Sequence, residues 1–138
     1  MVNLLAFLVC RKATIDQNGR VTLHELADGL IIPSSESSLH RLPGPYRRRE
    51  QVFFAFYKII ADTPGTVTLR VLTPSDEALP ETWSDPISPL IGQQSTWQSL
   101  WALGTDLFHE SGRYTLELWY SNVSVPVAST HLLVQIGE

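Results

Sequence analysis

Apolar and polar residues alternate with a period of two along much of this 138-residue chain. The run Thr66–Thr73 (TVTLRVLT) alternates almost strictly, and Arg113–Tyr120 (RYTLELWY) has the same character. Such alternation is typical of a strand that has one face against a core and the other in water. No long run shows the period of an amphipathic helix. The pattern therefore predicts an all-β protein.

Turn signals divide the remaining apolar segments into strands. Asn18-Gly19 lies between two apolar runs and is a strong signal for a β-hairpin. Ser95–Leu107 fits either a short helix or a strand, because its apolar residues satisfy both spacings. The predicted strands are Val2–Ala13, Arg20–Ile32 with a bulge or bend at Gly29, Glu50–Ala61, Thr66–Thr73, Arg113–Tyr120 and Val125–Ile136, with long loops at 33–49 and 74–89.

Strands at this spacing predict a single domain, 1–138, that is an antiparallel β-sandwich of about seven or eight strands, immunoglobulin-like in broad architecture. The segment before the penultimate strand resembles the corner of such sandwiches, where a tyrosine hydroxyl bonds to upstream backbone. Gly112 and Tyr114 would form it, and the alternative is a loop glycine followed by an ordinary strand tyrosine. The predicted core, or its alternate residues if the register shifts by one, is Leu5, Phe7, Val9, Phe54, Phe56, Leu69, Val71, Tyr114, Leu116 and Leu118.

The opening run MVNLLAFLVC has some features of a secretion signal or a lipid anchor. No Lys or Arg precedes its apolar part, however, and Val9, not a small residue, precedes Cys10. The run is also too short to span a bilayer. We interpret Val2–Ala13 as a buried first strand with Cys10 in the core. A single cysteine cannot form an intrachain disulfide, so we expect a cytoplasmic protein that does not associate with membranes.

The segment Thr14–Leu26 partly matches a calcium-binding loop, with Asp16, Asn18 and Glu25 at ligand positions. Thr14 stands where the first carboxylate is needed, and the flanking segments are predicted strands, not helices. A β-hairpin through Asn18-Gly19 is the better interpretation, and we expect no metal or other cofactor.

Several short segments occur along the chain in an order that is typical of one protein family. They are an apolar start, Asp16-x-x-Gly19-Arg20-Val21, Ala27-Asp28-Gly29, an aromatic third strand, Leu69–Pro74 and Gly112–Leu116. In this order the chain resembles a family of small bacterial proteins known only as a domain of unknown function, with a predicted sandwich fold. The resemblance implies the fold and a bacterial origin, but no activity. The basic Arg47-Arg48-Arg49 insertion departs from the family pattern, in which this loop is short.

The sequence lacks the motifs of nucleophilic, metal-dependent and phosphate-binding enzymes. An enzyme such as a hydrolase is an alternative, with a site built from His109 and carboxylates of neighbouring loops. A carbohydrate-binding sandwich is another, with Trp83, Trp97 and Trp101 as stacking platforms. Exposed tryptophans would favour that alternative, whereas buried ones would belong to the core.

Two predicted loops have features of a protein interface. Loop 33–49 combines a dense positive patch with an aromatic residue, and loop 74–89 is acidic and contains a tryptophan. The net charge of −4 argues against nucleic acid as a partner. We predict a non-enzymatic protein-binding or assembly module that acts through these loops or an exposed strand edge, with self-association as an option. The predicted contact residues are Arg41, Tyr46, Arg47, Arg48, Arg49 and Trp83.

Overall fold

The computed structural model describes residues 2–27, 29–33, 52–90, 93–121 and 123–137. Within these ranges the chain forms nine strands and one 3₁₀ turn, Thr105–Leu107. None of the described segments is a helix with the length and apolar character needed to cross a membrane. The strands are β1 (Val2–Ile15), β2 (Val21–Leu26), β3 (Gly29–Pro33), β4 (Val52–Ala61), β5 (Gly65–Leu72), β6 (Ala78–Ile87), β7 (Ser95–Gly104), β8 (Gly112–Tyr120) and β9 (Ala128–Gly137).

The strands form the two sheets of a sandwich, as predicted. Sheet 1 has the order β2-β1-β4-β7, and sheet 2 has the order β3-β9-β8-β5-β6. All neighbouring strands are antiparallel except β3 and β9, which are parallel. The inner faces of both sheets bury a continuous apolar core. The protein is therefore an immunoglobulin-like β-sandwich.

The segment predicted as one strand, Arg20–Ile32, is two strands in different sheets. β2 pairs with β1 in sheet 1, whereas β3 pairs with β9 in sheet 2. Gly29 lies where the chain enters sheet 2, and a Cβ there would be only 3.2 Å from the Leu133 carbonyl oxygen. The glycine thus permits a close backbone approach at the crossing between sheets, not a bulge within one strand.

The segment predicted as a loop, Pro74–Pro89, contains strand β6, so this prediction was wrong. β6 pairs with β5, and Pro80 and Pro86 fall within it. Proline is tolerated there because β6 is the edge of sheet 2, where one side of the strand needs no backbone donor. The prolines hid the strand from sequence reasoning.

The ambiguous segment Ser95–Leu107 is strand β7 followed by the 3₁₀ turn. Trp97, Trp101 and Leu103 lie on one face, as the strand interpretation requires. Trp101 and Leu103 are buried, and Trp97 packs against the core as a half-buried residue.

The predicted core is correct on some strands and shifted or wrong on others. β5 and β8 bury the expected residues, and Val9 is also buried. On β4 the alternate face points into the core with Phe53, Tyr57 and Ile59, although the predicted Phe56 is also buried, on the other face. Nearly every residue of β4 is apolar, so alternation could not choose between its faces. Leu5 is 51% exposed, which contradicts its placement in the core.

The predicted tyrosine corner is present. The Tyr114 hydroxyl donates to the Glu110 carbonyl oxygen at 3.0 Å, and the Tyr114 side chain is buried. Gly112 has φ +146°, and a Cβ there would lie 2.6 Å from Cγ of Pro74. Gly112 is therefore required both by its backbone conformation and by the close approach of Pro74.

The predicted hairpin is also present. One carboxylate oxygen of Asp16 accepts hydrogen bonds from the backbone N–H groups of Asn18 (2.8 Å) and Arg20 (2.9 Å). Gly19 takes φ +77°, which suits glycine in a tight turn. The Asp16 carboxylate thus stabilises the turn between β1 and β2.

We expect Gly112→Ala to lower the free energy of unfolding by more than about 2 kcal/mol, because strain and a collision with Pro74 combine. Gly19→Ala is the matched control: its φ is also positive, but no atom lies within 4 Å of the added Cβ. It should cost about 1 kcal/mol. Urea denaturation measures both values, and equal losses would contradict the steric argument.

Candidate functional site

Most of the predicted contact residues lie outside the described part of the chain. Arg41, Tyr46 and Arg47–Arg49 fall within residues 34–51. Trp83 is described: it lies on β6 opposite Leu69 and packs, half-buried, against the core. Its position on a strand and its packing support a structural contribution from this tryptophan.

A hydrogen bond between the two sheets holds β6 in place. The Tyr57 hydroxyl, on β4 of sheet 1, donates to Oδ2 of Asp85, on β6 of sheet 2, at 2.9 Å. The Tyr57 ring is buried and lies 4.7 Å from the Trp101 ring, centroid to centroid. Burial raises the pKa of Tyr57, and the hydrogen bond to Asp85 and its negative charge raise it further. Tyr57 is therefore a neutral donor across the physiological pH range.

β1 is paired with different strands over different lengths on its two sides. β2 pairs with β1 only over Cys10–Ile15, whereas β4 pairs with β1 from Val2 to Cys10. The last bond on the β2 side joins the Ala27 N–H to the Val9 carbonyl at 2.8 Å. Within the described ranges, Val2–Leu8 therefore has no strand on one side, and we call this the β1 free edge.

The β1 free edge carries exposed leucines. Leu4, Leu5 and Leu8 are 39%, 51% and 39% exposed, and Leu26 at the end of β2 is 64% exposed. Val2–Leu8 contains no charged residue and no proline. Unpaired backbone groups beside exposed apolar side chains are the features by which a sheet accepts an added strand.

A shallow groove adjoins the β1 free edge, between the ends of β1 and β2 and strand β9. Its volume is ≈ 270 Å³. It is lined by Phe7, Leu8, Val9, Leu26, Ala27 and Thr130. The groove is large enough to receive an apolar side chain of a strand placed along the free edge.

The tip of the β1–β2 hairpin contacts β7 across sheet 1. Nε2 of Gln98 donates to the Gly19 carbonyl oxygen at 3.2 Å. Trp97 faces the core, so Gln98 is on the outer face, and β4 separates β1 from β7. The hairpin therefore turns back over the outer face of sheet 1.

The opening strand is buried only at its middle and is exposed or half-buried on either side. Val9 and Cys10 are buried, and burial raises the pKa of the Cys10 thiol. The prediction of a buried strand was wrong for Leu4, Leu5 and Leu8. A continuous apolar run is typical of a strand covered on both faces, and nothing local in the sequence shows that β2 stops pairing at Cys10.

The residues predicted for carbohydrate binding and for an enzyme site lie in the core and at the tyrosine corner. Trp101 is buried and Trp97 is half-buried on the inner face, where its Nε1 donates to Oγ of Ser95 at 2.7 Å. These two tryptophans therefore serve the core and are not a flat platform for sugars. His109 and Glu110 are adjacent and exposed, and the Glu110 backbone takes part in the tyrosine corner.

Comparison with known proteins agrees with the fold. No protein-family model matches the chain, and no curated protein matches it. Among solved structures, the chain is similar to Pseudomonas fluorescens alkylpurine DNA glycosylase AlkC bound to DNA containing an abasic site analog, with a TM-score of 0.55 and 8% identity. The match covers 97% of this chain and 30% of the glycosylase. It shows a shared fold alone.

A second similar structure is an immunoglobulin-like protein from Pseudomonas aeruginosa. It is 10% identical, with a TM-score of 0.43, and the match covers 98% of this chain and 97% of that one. The topology and the tyrosine corner by themselves define the class as the immunoglobulin-like sandwich. The resemblance to the bacterial family of unknown function stays a prediction.

We expect Tyr57→Phe to lower the free energy of unfolding by about 1–2 kcal/mol, because the change leaves the Asp85 carboxylate without its hydrogen-bond donor. Asp85→Asn is the control, since its amide oxygen still accepts the bond, and it should cost less. Chemical denaturation at neutral pH measures both. A larger loss in the Asp85 variant would show that the charge, not the hydrogen bond, matters.

The advantage of the wild type over Tyr57→Phe should shrink as the pH rises above about 10, the ordinary pKa of tyrosine. The raised pKa means that folded Tyr57 keeps its proton where the unfolded chain loses it. Folding then opposes ionisation, and the free energy of unfolding falls with increasing pH. Denaturation of both proteins between about pH 9 and 11 measures the difference, and a constant difference would refute the assignment.

Proposed function

We propose that this protein is a non-enzymatic protein-binding module of the bacterial cytoplasm, and that it binds an extended segment of a partner along the β1 free edge. The observation that carries the proposal is that, among the described residues, Val2–Leu8 combines backbone unpaired on one side with exposed leucines. A partner strand there would take the free hydrogen-bonding groups of β1 and extend sheet 1 along the line of β2.

The chemistry of the edge defines the kind of segment that fits. It is a strand-forming segment with apolar side chains at alternate positions, because side chains on one face of an added strand recur every second residue. One of these side chains enters the groove lined by Leu8, Leu26 and Ala27. Main-chain hydrogen bonds supply affinity, and the groove supplies specificity.

A cytoplasmic location is part of the proposal. The single cysteine, Cys10, is buried on β1 and has no second cysteine in the sequence with which to form a disulfide. The fold thus needs no oxidising compartment for its stability. The acidic balance of the chain favours a protein over nucleic acid as the partner.

The test is a cross-linked pull-down from host lysate, with the bound proteins identified by mass spectrometry. Leu5→Lys/Leu8→Lys adds two charges to the β1 free edge. We expect this variant to recover at least tenfold less of the partner than the wild type. Leu90→Lys/Leu133→Lys is the matched control, because it changes two exposed leucines elsewhere. Circular dichroism of each variant confirms that it is folded.

A third variant tests the alternative contact surface predicted from the sequence. Arg47→Ala/Arg48→Ala/Arg49→Ala removes the basic patch and leaves the β1 free edge unchanged. A partner lost only in this variant would place the interface on loop 33–49 and refute the edge. A partner retained by all folded variants would refute both surfaces.

A further inference from the structure

Two side chains are buried on the outer face of sheet 1, away from the core of the sandwich. Cys10 and Phe56 are 0% and 8% exposed, yet neither belongs to the core cluster between the sheets. Each follows or precedes a core residue on its strand, Val9 for Cys10 and Tyr57 for Phe56, so each points to the outer face. A side chain on the outer face of a sheet is buried only where another segment covers it.

The β1–β2 hairpin reaches this outer face. Its tip is bound to β7 by the hydrogen bond from Nε2 of Gln98 to the Gly19 carbonyl oxygen. Gln98 is opposite Lys58 of β4, and Lys58 is opposite Ala6 of β1. The tip follows Cys10 in the chain but is bound to a residue level with Ala6, which precedes Cys10. The hairpin therefore folds back over sheet 1.

The part of the hairpin that folds back, Arg11–Glu25, is called the hairpin arm here. Ala13 lies opposite Leu23, and Val21 lies on the same face as both. These three residues are half-buried, whereas Ile15, close to the turn on that face, is exposed. The residues of the other face are all exposed: Lys12, Thr14, Thr22 and His24. The arm thus directs an apolar face towards the sheet and a polar face to solvent.

The arm bends where it leaves sheet 1. The residue pairs of β1 and β2 omit Arg11 and Glu25, which come directly after the pair of Cys10 and Leu26. Glu25 has φ +55°, in the left-handed region that is unfavourable for residues other than glycine. Strain of this kind persists only where the surrounding structure maintains it. The bend is therefore a position at which the arm is able to pivot, because a straight hairpin would not need this conformation.

The arm is held less firmly than the strands of the core. Besides the bond at the tip, the Cys10 thiol is hydrogen-bonded to the backbone of Lys12 and His24. The Arg11 guanidinium donates to the Gly29 carbonyl oxygen at 3.4 Å, which is a long bond. The core strands are instead joined by continuous pairing and a shared buried cluster. Segments with few buried contacts open at a lower free energy than the whole domain.

We propose that the hairpin arm is a flap that opens about the bend at Arg11 and Glu25 while the sandwich stays folded, and that opening uncovers Cys10 and Phe56. The closed arm covers an apolar surface with a segment of the same chain and so keeps other molecules away from it. The inference goes beyond the proposed function and does not rest on it, because the β1 free edge, Val2–Leu8, precedes the bend.

Cys10 reports the opening of the flap directly, because it is buried and is the one cysteine in the sequence. The test is labelling of the folded full chain with N-ethylmaleimide at a fixed pH, followed over time by mass spectrometry. Gln98→Ala removes the bond at the tip, and we expect it to accelerate labelling between about two- and tenfold. Thr96→Ala is the matched control, since Thr96 is also exposed on the outer face of β7. Equal rates in the two variants would overturn the proposal.

Two variants of Glu25 test the bend through the sign of their effects. Glu25→Gly should slow labelling, because glycine adopts φ +55° without steric cost, and this favours the closed arm. Glu25→Val should accelerate labelling, because a β-branched residue is disfavoured in that conformation. Both changes remove the exposed ion pair with Lys12, so the difference between them reports the bend alone. We expect rates that differ at least about fivefold. Equal rates or the reverse order would refute a pivot at this position.

Gly112→Ala separates the opening of the flap from the unfolding of the sandwich. It destabilises sheet 2 beside Pro74 and changes no residue of the arm. If the arm opens by itself, the labelling rate of Cys10 should equal that of the wild type. A rate that rises in proportion to the lost stability would show that Cys10 is reached only through global unfolding, and it would refute the flap.

Discussion

The crossing of the chain from sheet 1 to sheet 2 between Leu26 and Gly29 determines much of what this sandwich exposes. β2 ends opposite Cys10 because the chain must then cross to sheet 2 and pair with β9. At this crossing the Gly29 backbone lies so close to β9 that a Cβ on Gly29 would be 3.2 Å from the Leu133 carbonyl oxygen. Among the described residues, the seven residues Val2–Leu8 of β1 then have no strand neighbour on the β2 side. The leucines of β1 are exposed as a direct consequence. β1 extends beyond the end of β2, so this part of β1 is paired on one side only and forms an open edge.

Local signals in the sequence predicted the parts of the fold that local interactions determine. The hairpin follows from Asn18-Gly19, and the corner follows from a glycine two residues before Tyr114; each depends on residues close together in the chain. The inner face of β5 and β8 also followed, because those strands alternate. The inner face of β4 could not be predicted in this way, since neighbouring residues such as Phe53 and Phe54 are equally apolar. Strand β6 was not predicted, because its prolines are typical of a loop. Proline is excluded from a strand only where both sides of the strand are paired.

The candidate site was harder to predict than the fold for a related reason. An edge is defined by the strand that is missing, and a sequence shows which residues form a strand but not which strand lies beside it. The exposed residues Leu4, Leu5 and Leu8 therefore looked like core. One local signal was present: Val2–Leu8 contains no charge and no proline, whereas the edge strand β6 has both, although a register shift between Leu4 and Ala6 interrupts the pairing of β1 with β4.

The residues that stabilise the sandwich differ from those that carry the proposed binding edge. The tyrosine corner and the bond from Tyr57 to Asp85 are made by tyrosines buried in the core, whereas Leu4, Leu5 and Leu8 of the β1 free edge are exposed. Tyr57 also packs on Trp101, so the inner face of β7 is held by the same cluster that holds β6. Substitutions of the exposed Leu5 and Leu8 therefore remove no contact of the buried core, unlike substitutions of Val2 or Phe7, which pack against it. Partner binding as proposed for the exposed leucines of β1 is therefore separable from folding, because those leucines are not part of the core that holds the sandwich together.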